Sequence, residues 1–185
     1  MNYYIVRIVL SSVLFWVHAA VAYLVYRTSL SISGRGDIDR GVMLALMAGA
    51  LLPDLIDKPV SFVFSSAPSR SLAHSIFTTI FLIAVVVYIS RRLGRSKDAL
   101  AYILGHFSHL GADLVDSLFI PEETFVFLFW PLITDYHHID TVQELLSLVT
   151  PSPYVLAQTG ITILAVALWL YDGKPGYGSF GSTRY

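Results

Sequence analysis

The stretch Gly105–Asp116, GHFSHLGADLVD, sets four ionisable residues inside an apolar run. His106, His109, Asp113 and Asp116 follow one another at spacings of three, four and three, which puts them on one face of a helix. Two imidazoles and two carboxylates withdrawn from water together are costly unless they find partners. A divalent metal suits such a mixed nitrogen and oxygen set. For His109 and Asp113 the alternative is a buried hydrogen bond that stiffens the bundle.

Composition sets the surroundings. Of 185 residues, 55% are hydrophobic and 14% charged, against about a quarter charged in a soluble domain. The expectation is an all-α fold, a polytopic transmembrane helical bundle of about five spans. Residues 1–172 form a single membrane-embedded helical domain and 173–185 a Gly-rich flexible tail. A net charge of -1 leaves no basic stripe for nucleic acid. The absence of cysteine excludes disulfides, thiolate ligands and cysteine nucleophiles.

The expected spans are Tyr4–Tyr26, Gly41–Asp57, Ser71–Ser90, Ala99–Ile120 and Tyr154–Tyr171, with Arg27–Arg40 a polar loop. Pro53 is expected to break the backbone ladder near Asp54. Arg91, Arg92, Arg95 and Lys97 place the loop between spans three and four in the cytoplasm, and Pro121–Pro153 then lies outside. Counting ~1.5 Å per residue from each inner end puts His18, Asp54, His74, His109 and Asp113 roughly 14 to 26 Å up. Four spans thus deliver metal-type ligands to one slab, between the midplane and the outer interface.

Other residues have competing readings. Asp57 is expected to be solvated at a helix end and neutralised by Lys58, while Asp54, deeper and directly after Pro53, is the better ligand. In RSLAHS, Arg70 is either an interfacial anchor or a forked donor towards phosphate. His137 and His138, with Asp135 and Asp140, form a second polar cluster in the outer region, read mainly as solvated. FVFLFWP reads as an interfacial aromatic segment, a short flat helix compatible with a substrate-tail groove. No GxSxG, HExxH, P-loop or GxGxxG sequence is present.

Taken together, His18, LLPDLID at 51–57, RSLAHS at 70–75, GHFSHLGAD at 105–113 and FWPL at 129–132 resemble a known pattern. It is that of the predicted membrane-bound metal-dependent hydrolases of the YdjM type, distantly related to zinc-dependent phospholipases C and single-strand-specific nucleases. The chain departs from it in the two residues between Asp54 and Asp57, in Ser69 before Arg70 and in Ala73 before His74. The resemblance implies a phospholipase C-like metal-site core with His18, Asp54, His74, His109 and Asp113 as ligands.

The functional expectation is a hydrolase holding one or two divalent ions, zinc foremost, that cleaves a lipid-type phosphoester. Arg70 would clamp the phosphate. His106, Asp57 and Asp116 would orient the ligands. The rivals are a non-catalytic membrane binding or assembly protein, an ion carrier and a peptidase. Membrane lipids are the expected partners, in the cell membrane, with the site towards the outer face.

Overall fold

A computed structural model describes residues 13–33, 38–63, 70–118, 125–134 and 152–177. It contains α1 (Phe15–Ser33), α2 (Arg40–Val63), α3 (Ile76–Arg92), α4 (Ser96–Ser117), a short 3-10 helix (Val126–Phe129) and α5 (Pro153–Tyr171). The described residues include no strand, so the all-α expectation holds at that level. Asp135, His137, His138 and Asp140 lie outside the described residues.

Several element limits differ from the sequence reading. α1 runs through the expected loop as far as Ser33, and within it Thr28, Ser29, Ser31 and Ser33 satisfy their hydroxyls by donating to carbonyls three or four residues back. α2 continues past Asp57 for 24 residues in all and contains both Pro53 and Pro59. Proline removes single ladder bonds without ending the helix. Pro53 releases the Gly49 carbonyl, and the next one, Ala50 O, accepts a hydrogen bond from His109 Nδ1 at 2.7 Å. Residues 70–75 form a turn instead of the start of a helix, and Ser75 caps α3 by accepting from Phe77 N.

α4 is the central element, packed against α1, α2 and α3, while α5 lies on α1. Its tightest neighbour is α2. A Cβ on Gly105 would sit 2.3 Å from Leu46 O, and one on Gly49 would sit 2.3 Å from Tyr102 O. Two glycines therefore let the backbones touch. Below this crossing Ala20, Tyr23, Tyr26, Val42, Leu46 and Ala101 form the main apolar core.

α3 and α5 are arranged inside-out. α3 buries Thr79 and Ser90, whereas Phe77, Ile80, Phe81, Val85, Tyr88 and Ile89 are exposed. α5 buries Gln158 and Ala165 and exposes Leu156, Ile163, Leu164, Val166 and Leu170. Large apolar faces of this kind are rare on soluble monomers. Among the described residues, Pro153–Tyr171 is the one helix long and apolar enough to count as a candidate span by itself.

One set of ionic contacts lies at the opposite end of the helices from the histidines. Arg95 bridges Asp39 and Asp98, Lys97 reaches Asp39, and Arg27 pairs with Asp172, which also accepts from Tyr23.

Candidate metal centre

His18 on α1, Asp54 on α2, His74 just before α3, and His109 and Asp113 on α4 converge, all essentially buried. The Gly49–Gly105 crossing sets this up: it lies one turn before Asp54 and one turn before His109. His18 Nε2 is 3.9 Å from Asp54 Oδ2 and 3.8 Å from Asp113 Oδ1, with its ring stacked on His109 at 3.9 Å. His74 Nε2 is 3.7 Å from Asp54 Oδ1. Two groups have metal-type spacing: His18, Asp54 and His109, and His74, His109 and Asp113.

The second group is the more tightly defined. The carbonyl of Ala50 can only accept, so His109 Nδ1 carries the proton in their 2.7 Å bond. His74 Nδ1 lies 2.7 Å from Asp57 Oδ2, a carboxylate that also accepts from the backbone N–H groups of Ser71, Ala73 and His74. That ring too is held with its proton on Nδ1. With both rings neutral, the two Nε2 atoms present lone pairs to each other at 2.9 Å. Asp113 Oδ2 is 3.2 Å from both and has no hydrogen-bond partner.

Three electron-pair donors meeting in a buried place repel unless a proton or a metal ion lies among them. A tetrahedral ion with bonds of about 2.0–2.1 Å spaces its donors about 3.3 Å apart, close to the separations here. Charge points the same way. Among the described residues the cluster holds four carboxylates, Asp54, Asp57, Asp113 and Asp116, and two side-chain cations, Lys58 and Arg70. If the imidazoles are neutral, these described groups leave two negative charges, which one divalent ion would balance. The residues present therefore fit a metal.

The surrounding residues have distinct places. Arg70 Nη2 is 3.0 Å from Asp113 Oδ1 and 2.7 Å from Asp116 Oδ2, and Asp116 Oδ1 accepts from Tyr154 OH at 3.0 Å. His106 stands apart from the ligand groups: its Nε2 meets Thr79 Oγ1 at 2.9 Å and its ring stacks on Tyr102. Phe127, in the 3-10 helix, lies edge-on to His74 and beneath Arg70. Ser75 Oγ donates to Trp130 O at 2.6 Å and so ties that segment to the HS motif.

Two sequence expectations are corrected. Asp57 is fully buried and is not solvated at a helix end, because the 70–75 turn wraps its backbone N–H groups around the carboxylate. Lys58 does not neutralise it but pairs with Asp54 at 2.7 Å, one helical turn away. Sequence reasoning passed over Lys58 as a site residue, although i and i+4 positions on a helix are neighbours and adjacent ones are not.

Neither a curated protein nor a solved structure matches the chain. A family model described as YdjM inner membrane protein matches residues 14–174, a range that takes in every ligand-type residue above. With that match over most of its length, the chain belongs to the YdjM inner membrane protein family.

Proposed function

We propose that this membrane protein is a metal-dependent hydrolase, acting on the phosphoester of a lipid-type substrate. The observation that carries the reading is the meeting of His74 Nε2, His109 Nε2 and Asp113 Oδ2 within 3.2 Å, each ring turned by an acceptor on its other nitrogen. Five helices cross the bilayer in this reading. The apolar outer faces of α3 and α5 support it, as do the exposed Arg91 and Arg92 where α3 ends. The polar buried faces of α1, α2 and α4 lower their hydropathy without shortening their reach. The histidine cluster then belongs to the outer side and the Asp39–Arg95 contacts to the inner.

His18, Asp54, His74, His109 and Asp113 would hold one or two divalent ions, zinc foremost. Such an ion lowers the pKa of water towards ~7 and neutralises charge on a phosphoryl oxygen. Asp57 keeps His74 in the tautomer that presents Nε2, and Ala50 O does the same for His109. Arg70 holds Asp113 and Asp116 in place and offers guanidinium donors to a phosphate that approaches from the rim. Phe127 covers one side of His74 and limits water there.

A non-catalytic binding or assembly role has one observation in its favour: Lys58 and Arg70 already pair with three of the four carboxylates. Elemental analysis separates the two readings. Gently extracted wild type should carry stoichiometric zinc, and His109→Ala and Asp113→Asn should lose it with helix content retained. Hydrolysis of phospholipid or a nitrophenyl phosphoester should then vanish in both variants. Wild type with metal well below stoichiometry, and no gain on zinc reconstitution, would overturn the hydrolase reading.

A further inference from the structure

The accessible part of the cluster is cationic. Lys58 is 31% exposed and Arg70 19%, while the imidazoles and carboxylates between them are at most 4% exposed. A ligand that enters from the rim therefore meets an ammonium and a guanidinium before the imidazoles and carboxylates they cover.

Their placement is matched. Lys58 Nζ holds Asp54 Oδ2, and Asp54 Oδ1 is 3.7 Å from His74 Nε2. Arg70 Nη2 holds Asp113 Oδ1, and Asp113 Oδ2 is 3.2 Å from the same nitrogen. Each cation is thus one carboxylate away from His74, Lys58 arriving on α2 and Arg70 on the 70–75 turn. Each also lies against an aromatic ring. Lys58 Nζ is 5.8 Å from the centre of Phe15 and Arg70 Cζ is 5.7 Å from that of Phe127. An ammonium has three donors, and Asp54 Oδ2 takes one.

We infer that Lys58 is a second anion clamp which, with Arg70, selects a phosphate monoester carrying two charges on an apolar body. The inference rests on the proposed metal-dependent function and names its substrate class. Two separate cations suit a dianion better than the single charge of a diester. The flanking phenyl rings suit an attached hydrocarbon group. Arg70 supplies a fixed fork and Lys58 a point charge that can leave Asp54 partway to follow the ligand.

The test uses full-length, zinc-loaded protein in phosphatidylcholine nanodiscs. Binding of inorganic phosphate, and separately of phosphatidic acid added to the disc, is followed by phosphorus NMR. Lys58→Met should weaken the tighter-binding probe by about tenfold or more, the loss of one charge-assisted hydrogen bond. Its zinc content should stay stoichiometric, and Lys58→Arg should restore most of the affinity. Phosphatidic acid should bind more tightly than inorganic phosphate, and the reverse order overturns the apolar body of the ligand. Unchanged binding in Lys58→Met overturns the inference, and so does a parallel loss of zinc, which would make Lys58 a prop for Asp54. Wild type without zinc overturns the metal reading instead, so the two failures are distinct.

Discussion

At the scale of single residues, Asp57 shows how a carboxylate acts through a neighbour. Three backbone N–H groups and the His74 ring converge on it, so its charge fixes which His74 nitrogen faces the cluster. Asp57→Asn keeps the shape and weakens that preference. Zinc affinity should fall about 10- to 100-fold with helix content unchanged, as titration calorimetry would show. The five ligand-type residues were legible because helical spacing and depth along four segments use only the chain's own geometry. Asp57 was legible as a residue that orients a ligand, but its burial and its partners were not, since they come from a turn whose path no spacing rule gives. Lys58 was misread by adjacency, although an i,i+4 count from Asp54 pointed to its partner. His106 was grouped with the others because it shares their helix face, but that face is wide enough to meet Thr79 on α3 as well.

At the scale of elements, the α2–α4 crossing depends on two residues without side chains. Gly105→Ala drives a methyl into the Leu46 carbonyl, a backbone atom that cannot swing aside. Overpacking of this kind costs about 1–3 kcal/mol, so thermal unfolding in detergent should start lower. Gly111→Ala meets open space and should stabilise by up to about 1 kcal/mol through helix propensity. Asp39 caps α2 through Val42 N and pairs with Lys97 and Arg95. Burial alone would raise its pKa, but the Lys97 bond, the Val42 N–H and the two positive charges outweigh that and hold it at about 2, below the ordinary 3.8. A depressed carboxylate stabilises the fold above its ordinary pKa and loses that contribution as pH falls through the folded value. Asp39→Asn keeps the cap and removes the charge. Its melting temperature should lie below that of wild type at pH 7, and the gap should close as pH approaches 2. Helix ends were the least legible feature: the hydroxyl-rich 28–33 stretch reads as loop by composition, yet its side chains bond back onto the helix.

At the scale of the whole molecule, apolar residues outside and a polar cluster within are the reverse of a soluble protein. Hydropathy and length together find one candidate span among the described helices, because α3 has only 17 residues and polar residues dilute α1, α2 and α4. The five-span reading predicts sidedness. The chain has no cysteine, so single replacements report without a background. A thiol reagent that cannot cross the membrane should label Leu132→Cys in intact cells. Arg92→Cys should react only after permeabilisation. Labelling of both from one side would overturn the topology. Where backbones touch at Gly49 and Gly105, α2 and α4 are joined as one rigid plate bearing Asp54, Asp57, His109, Asp113 and Asp116. His74 is fastened to this plate by the bonds of the 70–75 turn to Asp57, whereas His18 arrives on α1. Breathing that admits a ligand would therefore change the reach of His18, while Asp54, His74, His109 and Asp113 keep their mutual spacing.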